Sequence, residues 1–449
     1  MPPRADLKAL FALAIPVATV NLGLMGMGVV DTIMVGHVSA VELAGVALGN
    51  LYWFAAGGFG FGTLMALDPL ISQAVGARDD VAVARGIQRG LVLCLVMCVP
   101  AVMLFLPAGA VLRLLGQPLD VVPRAAEFVH VSIAGILPFY AFVVLRQSLQ
   151  ALGRMRPIVI VIVGANLFNA ALCWLFVFGG VGSLRGAAAV ALASVIARWC
   201  MVFGLLAAAW RDLRPSLLPP RPEALAVAPL VSMFRLGAPI GVQYNLEFAV
   251  FGVVALLMGR LGIVPMAAHQ IAINIASLTF MVPLGISAAA SVLVGRAIGA
   301  GDPARARGMA LAALICGMTF MALSGVTLWL GRRLFATAYT IDPAVIALTA
   351  LLLPLAALFQ VFDGLQVVSI GVLRGAGDTR TPMIANLLGF WLIGFPTSLW
   401  LAFRAGGGAV GLWWGLVAGL AAVAVFLVLR VRSKMAGELG RLTIEGEVI

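Results

Sequence analysis

The sequence predicts an all-α integral membrane protein, with twelve transmembrane helices in two pseudo-symmetric six-helix bundles. Three observations carry that prediction. Of 449 residues, 63% are apolar and only 10% charged, against roughly half and a quarter in soluble domains. The charges cluster between apolar runs, and the pattern of the first half returns in the second.

About 20 apolar residues cross a bilayer, and twelve runs of that kind can be placed. The first, near 10–34, follows Arg4 and Lys8; the second, near 44–72, ends before Arg78, Arg85 and Arg89. The third, near 90–111, is closed by Arg113 and Arg124, the fourth, near 127–150, by Arg154 and Arg156, and the fifth, near 157–178, by Arg185. The sixth, near 187–209, ends at the charged, proline-rich stretch RDLRPSLLPPRPEALAVAP, which suits a non-helical cytoplasmic linker over 211–230. The seventh, near 232–258, and the eighth, near 266–294, are separated by Arg260, and the ninth, near 309–331, follows Arg296, Arg305 and Arg307. Arg332 and Arg333 precede the tenth, near 345–372; Arg374 and Arg380 precede the eleventh, near 382–403; Arg404 precedes the twelfth, near 409–430. Threaded from an inside N-terminus, inside segments carry twenty Lys and Arg and outside segments seven, with Arg146 and Arg198 unassigned. That bias predicts a multi-pass protein with both termini in the cytoplasm.

The repeat is direct. LFALAIPVATV (Leu10–Val20) aligns with MFRLGAPIGVQ (Met233–Gln243), and at the same offset of 223 residues ISQAVGARDD aligns with VGRAIGAGDP. ALGRMRP and GAGDTRTP follow at a slightly larger offset. Two units with even span counts are parallel repeats, as in some secondary transporters, where substrate binds between the halves. The expected division is 1–210 for the first bundle, 211–230 for the linker, 231–432 for the second bundle and 433–449 for a cytoplasmic tail. The first apolar run has an internal counterpart and is long enough to span, which argues against a cleaved signal peptide.

Other classes are disfavoured. The formal charge of +11 lies at the ends of apolar runs, so nucleic acid is not an expected partner. The five cysteines sit in apolar runs and read as small core residues, while His37, His130 and His269 lie far apart with no metal-ligand spacing. An integral membrane enzyme would need a clustered nucleophile, base or metal, and none is visible. GAGDTR lacks a following GK[ST] and reads as a tight inside turn.

Three acids lie inside the apolar runs: Asp31, Glu247 and Asp363. A charge at the bilayer centre costs at least ~2.5–3.5 kcal/mol on insertion scales, so each is a candidate functional residue. Glu42, Asp68, Glu127 and Asp342 fall near predicted helix ends and read as solvated caps or end charges. Glu247 is twelve residues from Arg235 and Asp363 eleven from Arg374, so at the helical rise both sit ~16–18 Å from the inner face and can share a site. Gln243 and Tyr244 fall one turn before Glu247, and Gln360 and Gln366 flank Asp363 at three-residue spacing. Two carboxylates close together in a weak dielectric either share a proton or bind a cation. Structural salt bridges are the competing reading, but these stretches hold almost no Lys or Arg. Asp31 has Asn166 and Asn169 of the fifth run as polar company, which helix-packing hydrogen bonds also explain. Pro16 and Pro239 match in the repeat and predict a kink in each first helix.

With these motifs in place, the chain resembles the multidrug and toxic compound extrusion (MATE) family, in its bacterial NorM-like branch. The resemblance runs from about Leu10 to Arg432 and rests on VDTIMVGHVSAVELAGVALGN, MAAHQIAINIASLTFMVPLGISAAASVLVGRAIGAG and FQVFDGLQVVSIGVLRGAGDT. It implies an antiporter of a cell inner membrane, exporting small organic, often cationic compounds in exchange for Na⁺ or H⁺ as two six-helix bundles rock, with membrane lipids around it. It implies no enzyme activity and no cofactor beyond the coupling ion, and the expected state is a monomer. Glu247 and Asp363 match the family's second-bundle coupling acids, with Na⁺ a candidate ligand there, and Asp31 matches the first-bundle acid of proton or drug linkage. Gln270, Asn274 and Phe359 join Asn166, Asn169, Gln243, Tyr244, Gln360 and Gln366 as the expected cavity lining or polar network. Two positions depart from the pattern: Phe359 stands where tyrosine is frequent, and Cys173 replaces the second of two asparagines, so the choice between Na⁺ and H⁺ stays open. A lipid or lipid-linked oligosaccharide flippase of related fold is the alternative, for which Arg146 and Arg198 are the few cations that could grip phosphate.

Overall fold

The computed structural model describes residues 3–179, 185–442 and 444, so residues 443 and 445–449 of the predicted tail lie outside the described residues. Among the described residues no strand occurs, and twelve helices are long and apolar enough to cross a membrane. They are α1 (Arg4–Gly36), α2 (Ala40–Gly76), α3 (Asp80–Phe105), α4 (Val122–Ala151), α5 (Met155–Val177), α6 (Gly186–Ala208), α7 (Val227–Leu261), α8 (Ile263–Gly299), α9 (Pro303–Leu330), α10 (Pro343–Gly375), α11 (Arg380–Arg404) and α12 (Gly408–Ala436).

The repeat extends to the turns. After α2, the Asp79 N–H bonds the Ala74 carbonyl at 3.0 Å, and after α8 the Asp302 N–H bonds Ala297 at 2.9 Å. These are six-to-one closures that end a helix on a left-handed residue. That residue is Arg78 in the first copy, at φ 55°, and Gly301 in the second, at φ 70°. Each following aspartate caps the next helix, Asp79 accepting from the Ala82 N–H at 2.9 Å and Asp302 from the Arg305 N–H at 2.9 Å. The GAGDTR turn is built the same way, with Gly377 at φ 77° matching Gly153 at φ 75°. Its Asp378 caps α11 and pairs with Arg430 Nε at 2.8 Å. Because a side chain in the left-handed region costs about 1 kcal/mol, Arg78→Gly is expected to raise the melting temperature of the purified protein by about one degree.

The chain divides into two compact units, but not at the linker: one holds residues 1–18 and 242–442, the other 19–241. The expected division at 211–230 therefore moves into the first and seventh helices, just beyond Pro16 and Pro239. Close packing explains the shift. The opening third of α1 lies against α8, where a Cβ on Gly285 would stand 2.6 Å from the Ala14 carbonyl oxygen. In the other unit the opening third of α7 lies against α2, where a Cβ on Gly62 would stand 2.6 Å from Gly241 Cα. Gly62 and Gly285 are repeat counterparts, so each unit is closed by the same device.

Local geometry departs from expectation in several further places. The linker is partly helical over Trp210–Leu217, with a 3₁₀ turn at Pro222–Leu225. It is held by side chains of its own unit: Gln88 accepts from the Arg221 N–H at 2.9 Å and donates to the Ser216 carbonyl at 3.0 Å, while Arg85 pairs with Glu223 at 3.2 Å. Asp68 is no solvated cap. It is 1% exposed, beside the break in α2 near Met65, with Arg146 as its opposite charge. Among the other end-of-helix acids, Glu42 pairs with Arg124 Nε at 3.1 Å and accepts from the Ala187 N–H at 2.6 Å, Glu127 pairs with Arg124 at 3.4 Å, and Asp342 caps α10. All five cysteines are free thiols. Finally, α11 widens to π-helical turns over Leu387–Gly394 and Trp400–Arg404, flanking Pro396. Its glycines meet those of α12, and a Cβ on Gly394 would reach Gly419 Cα at 3.0 Å.

Candidate functional site

In the unit that holds residues 242–442, three helices, α7, α10 and α11, meet at Glu247. Asn386 of α11 donates from Nδ2 to Glu247 Oε2 at 3.1 Å. Gln366 of α10 donates to Glu247 Oε1 and to Asn386 Oδ1, both at 3.4 Å. The fixed amides hold the carboxylate of α7 through both oxygens. Trp391 Nε1 donates to the Leu246 carbonyl at 3.3 Å and ties the π-helical part of α11 to α7. Asp363 of α10 lies three residues before Gln366, is 8% exposed, and interacts electrostatically with Glu247. Neither acid forms an ion pair with Lys or Arg among the described residues, although Arg374 acts on Glu247 electrostatically, and Asp363 makes no hydrogen bond there. Two acids thus share a low-dielectric site with no cation in ion-pair contact among the described residues, an arrangement that can take up a proton or a cation.

One turn from Asp363, Gln360 is fully buried between α8 and α9. It donates to Thr279 Oγ1 at 2.6 Å and accepts from Ser324 Oγ at 2.9 Å. Both hydroxyls line a cavity of about 470 Å³, with Thr327 and otherwise apolar walls that include Phe320, Leu323 and Phe335. On the opposite turn, Phe359 packs edge-on against Trp413 with centroids 6.0 Å apart and against Phe251 at 6.1 Å. His269 joins the same aromatic group, 5.7 Å from Trp413.

The second acid site lies wholly within the unit formed by residues 19–241. Asp31 is 5% exposed. Ser194 Oγ donates to its Oδ2 at 2.6 Å, and Cys173 Sγ contacts its Oδ1 at 3.3 Å. Asn169 donates to Ser194 Oγ at 3.4 Å and so reaches the acid through that hydroxyl. Cys173 therefore occupies a place in this network, as a weaker donor than an amide.

Not every expected residue joins these clusters. Asn166 donates to the Ile162 carbonyl at 2.8 Å and packs near Gly23 and Gly26 of α1. Gln270 is exposed, and Asn274 accepts from Tyr339 OH at 3.0 Å. Gln243 is buried, and Tyr244 lies within electrostatic reach of Glu247. Conversely, Asn386, Thr279, Ser324 and Ser194 went unnoticed in the sequence. Asn386 carried a signal, being a fully buried amide inside the apolar run IANLLGFW. Asn386→Ala strips one donor from Glu247 and is expected to cost about 1–3 kcal/mol, read as a fall in thermal unfolding temperature.

Comparison with known proteins accords with the repeat. The MatE family model matches residues 16–175 and 239–400, twice along the chain and again 223 residues apart. The multidrug resistance protein NorM of Burkholderia vietnamiensis is 38% identical over 439 residues, covering 94% of this chain and 93% of that one. A probable multidrug resistance protein NorM of Mesorhizobium japonicum is 36% identical, covering 95% and 94%. Among solved structures, the eukaryotic MATE transporter AtDTX14 superposes with a TM-score of 0.88 at 25% identity, over 96% of this chain and 98% of that one. The MATE transporter VcmN of Vibrio cholerae, in the bent form, has a TM-score of 0.84 at 18% identity, over 96% and 97%. With twelve spans, two copies of one unit and a family model matched across both, the chain belongs to the MatE family.

Proposed function

We propose that this protein is a secondary active multidrug exporter that exchanges small organic, often cationic compounds for Na⁺ or H⁺ by alternating access. The observation that carries the reading is the Glu247–Asp363 pair, with Glu247 held by Asn386 and Gln366 and neither acid in an ion pair with Lys or Arg among the described residues. The NorM relatives support the substrate class. An organic cation is attracted to the two carboxylates, and the aromatic group of Phe251, Phe359 and Trp413 offers apolar surface beside them. Na⁺ or a proton arriving at the acids cancels that charge and favours the conformer that lets the compound go. The shift it can drive is limited by the ion's differential affinity for the two conformers. Asp31 serves as a separate acid of proton or drug linkage. The protein acts as a monomer in a cell inner membrane, with both termini in the cytoplasm, and does no covalent chemistry.

The test is ethidium movement in liposomes under a Na⁺ gradient or a pH gradient, imposed one at a time. One gradient is expected to drive the dye. Folded protein that moves none under either would overturn the reading and leave lipid transport to be tried next with a fluorescent phospholipid.

A further inference from the structure

Arg198 lies on α6 one turn beyond Ser194, the residue that donates to Asp31. It is twelve residues from the Gly186 end of the helix, about 18 Å along the axis and so near mid-bilayer. A cation at that depth is costly enough to need a purpose and a partner. The surroundings are shaped for it. Its guanidinium carbon stands 4.3 Å from the Trp53 ring centroid and 5.7 Å from that of Phe139, stacking that suits a weakly hydrated planar cation. Across from it, α4 breaks into a 3₁₀ turn at Ile133–Gly135. A Cβ on Gly135 would come within 3.0 Å of Arg198 Nη1, so the glycine leaves room for the guanidinium. Nη1 is buried without a hydrogen-bond partner, and Asp31 is the acid with which Arg198 interacts electrostatically.

We infer that Arg198 is the resident counter-cation of Asp31, and so makes the exporter disfavour substrates with a second positive charge. The inference rests on the exporter reading. Arg198 forms no direct ion pair with Asp31, but its charge cannot leave the fold and offsets that of the acid, so this site offers a dication little net attraction. Arg198 is a positioning residue that sets charge selectivity without having to touch the substrate.

The experiment compares a monocation, ethidium, with a dication, methyl viologen, in proteoliposomes of wild type, Arg198→Lys, Arg198→Gln and the double variant Arg198→Gln/Asp31→Asn. The dication-to-monocation ratio of initial rates should hold in the lysine variant, rise at least about fivefold in the glutamine variant and return in the double variant. An unchanged ratio in Arg198→Gln, or the same rise in Arg198→Lys, would overturn it, the latter because packing and not charge would then be responsible. Should Arg198→Gln fail to fold, the double variant still decides, since a ratio differing from wild type contradicts the pairing. If wild type moves neither compound the exporter reading has failed on its own, and the same ratio taken from equilibrium Kd values still decides the role of Arg198.

Discussion

Glu247→Gln is expected to leave a folded protein in which an imposed ion gradient no longer drives export. The fold should survive because the change is isosteric. Asn386 and Gln366 both donate to Glu247; a glutamine keeps one acceptor for Asn386, and the Gln366 amide can rotate to present its unpartnered oxygen to the new NH₂, giving up only its 3.4 Å contact with Asn386. The charge does not survive. Without it the coupling ion loses its main reason to prefer one conformer, and couplings between sites are typically worth ~1–3 kcal/mol, or about 5–150-fold. Gradient-driven ethidium flux should fall by a factor in that range, with size-exclusion profile and melting temperature close to wild type. Normal gradient-driven flux in the variant would remove Glu247 from the mechanism.

Gly371→Leu should have the largest effect on folding. A Cβ on Gly371 would sit 2.1 Å from the Ser287 carbonyl oxygen, and one turn on, a Cβ on Gly375 would sit 2.5 Å from that of Ser291. Both neighbours are backbone atoms of α8, which no rotamer change can move. The seam is tied further by Ser287 Oγ donating to the Val367 carbonyl at 2.6 Å. Overpacking typically costs 1–3 kcal/mol, and here it pushes apart the helices that place Gln360 against Thr279 and Asp363 beside Glu247. The expected outcome is little monodisperse protein after detergent extraction. Gly252→Ala is the control, since nothing lies within 4 Å of its Cβ position, and it should behave as wild type.

The features legible in the sequence were those with a local or periodic signature. Twelve apolar runs, the charge bias at their ends and the 223-residue repeat all follow from transfer energetics acting segment by segment. Glu247 and Asp363 stood out because a carboxylate in an apolar run is costly wherever it packs. What stayed hidden depends on partners distant in the chain. Asn386 lies 139 residues from Glu247, and Ser194 lies 163 from Asp31, and serine and asparagine are too common in membrane helices to name their partners. Asp68 looked like an end-cap because hydropathy registers a helix end but not the charge of Arg146 that faces it from elsewhere in the fold. The placing of the first 18 residues with the second half depends on glycine contacts such as Gly285 on Ala14, which the repeat shows only as two matching glycines. The π-helical turns of α11 change the register of an apolar segment without changing its apolar character, so periodicity gave no hint of how Asn386 meets Glu247.

The central claim is that organic cation and coupling ion compete for one pair of acids. Its most direct measurement is the equilibrium Kd of ethidium for purified protein, titrated with Na⁺ at fixed pH and with pH at fixed Na⁺, in wild type and in Glu247→Gln. In wild type the apparent Kd should climb in proportion to the coupling ion once the site begins to fill, and in Glu247→Gln it should be weaker and largely indifferent to that ion. A wild-type Kd that responds to neither ion, or an ion dependence that persists undiminished in the variant, would contradict the account.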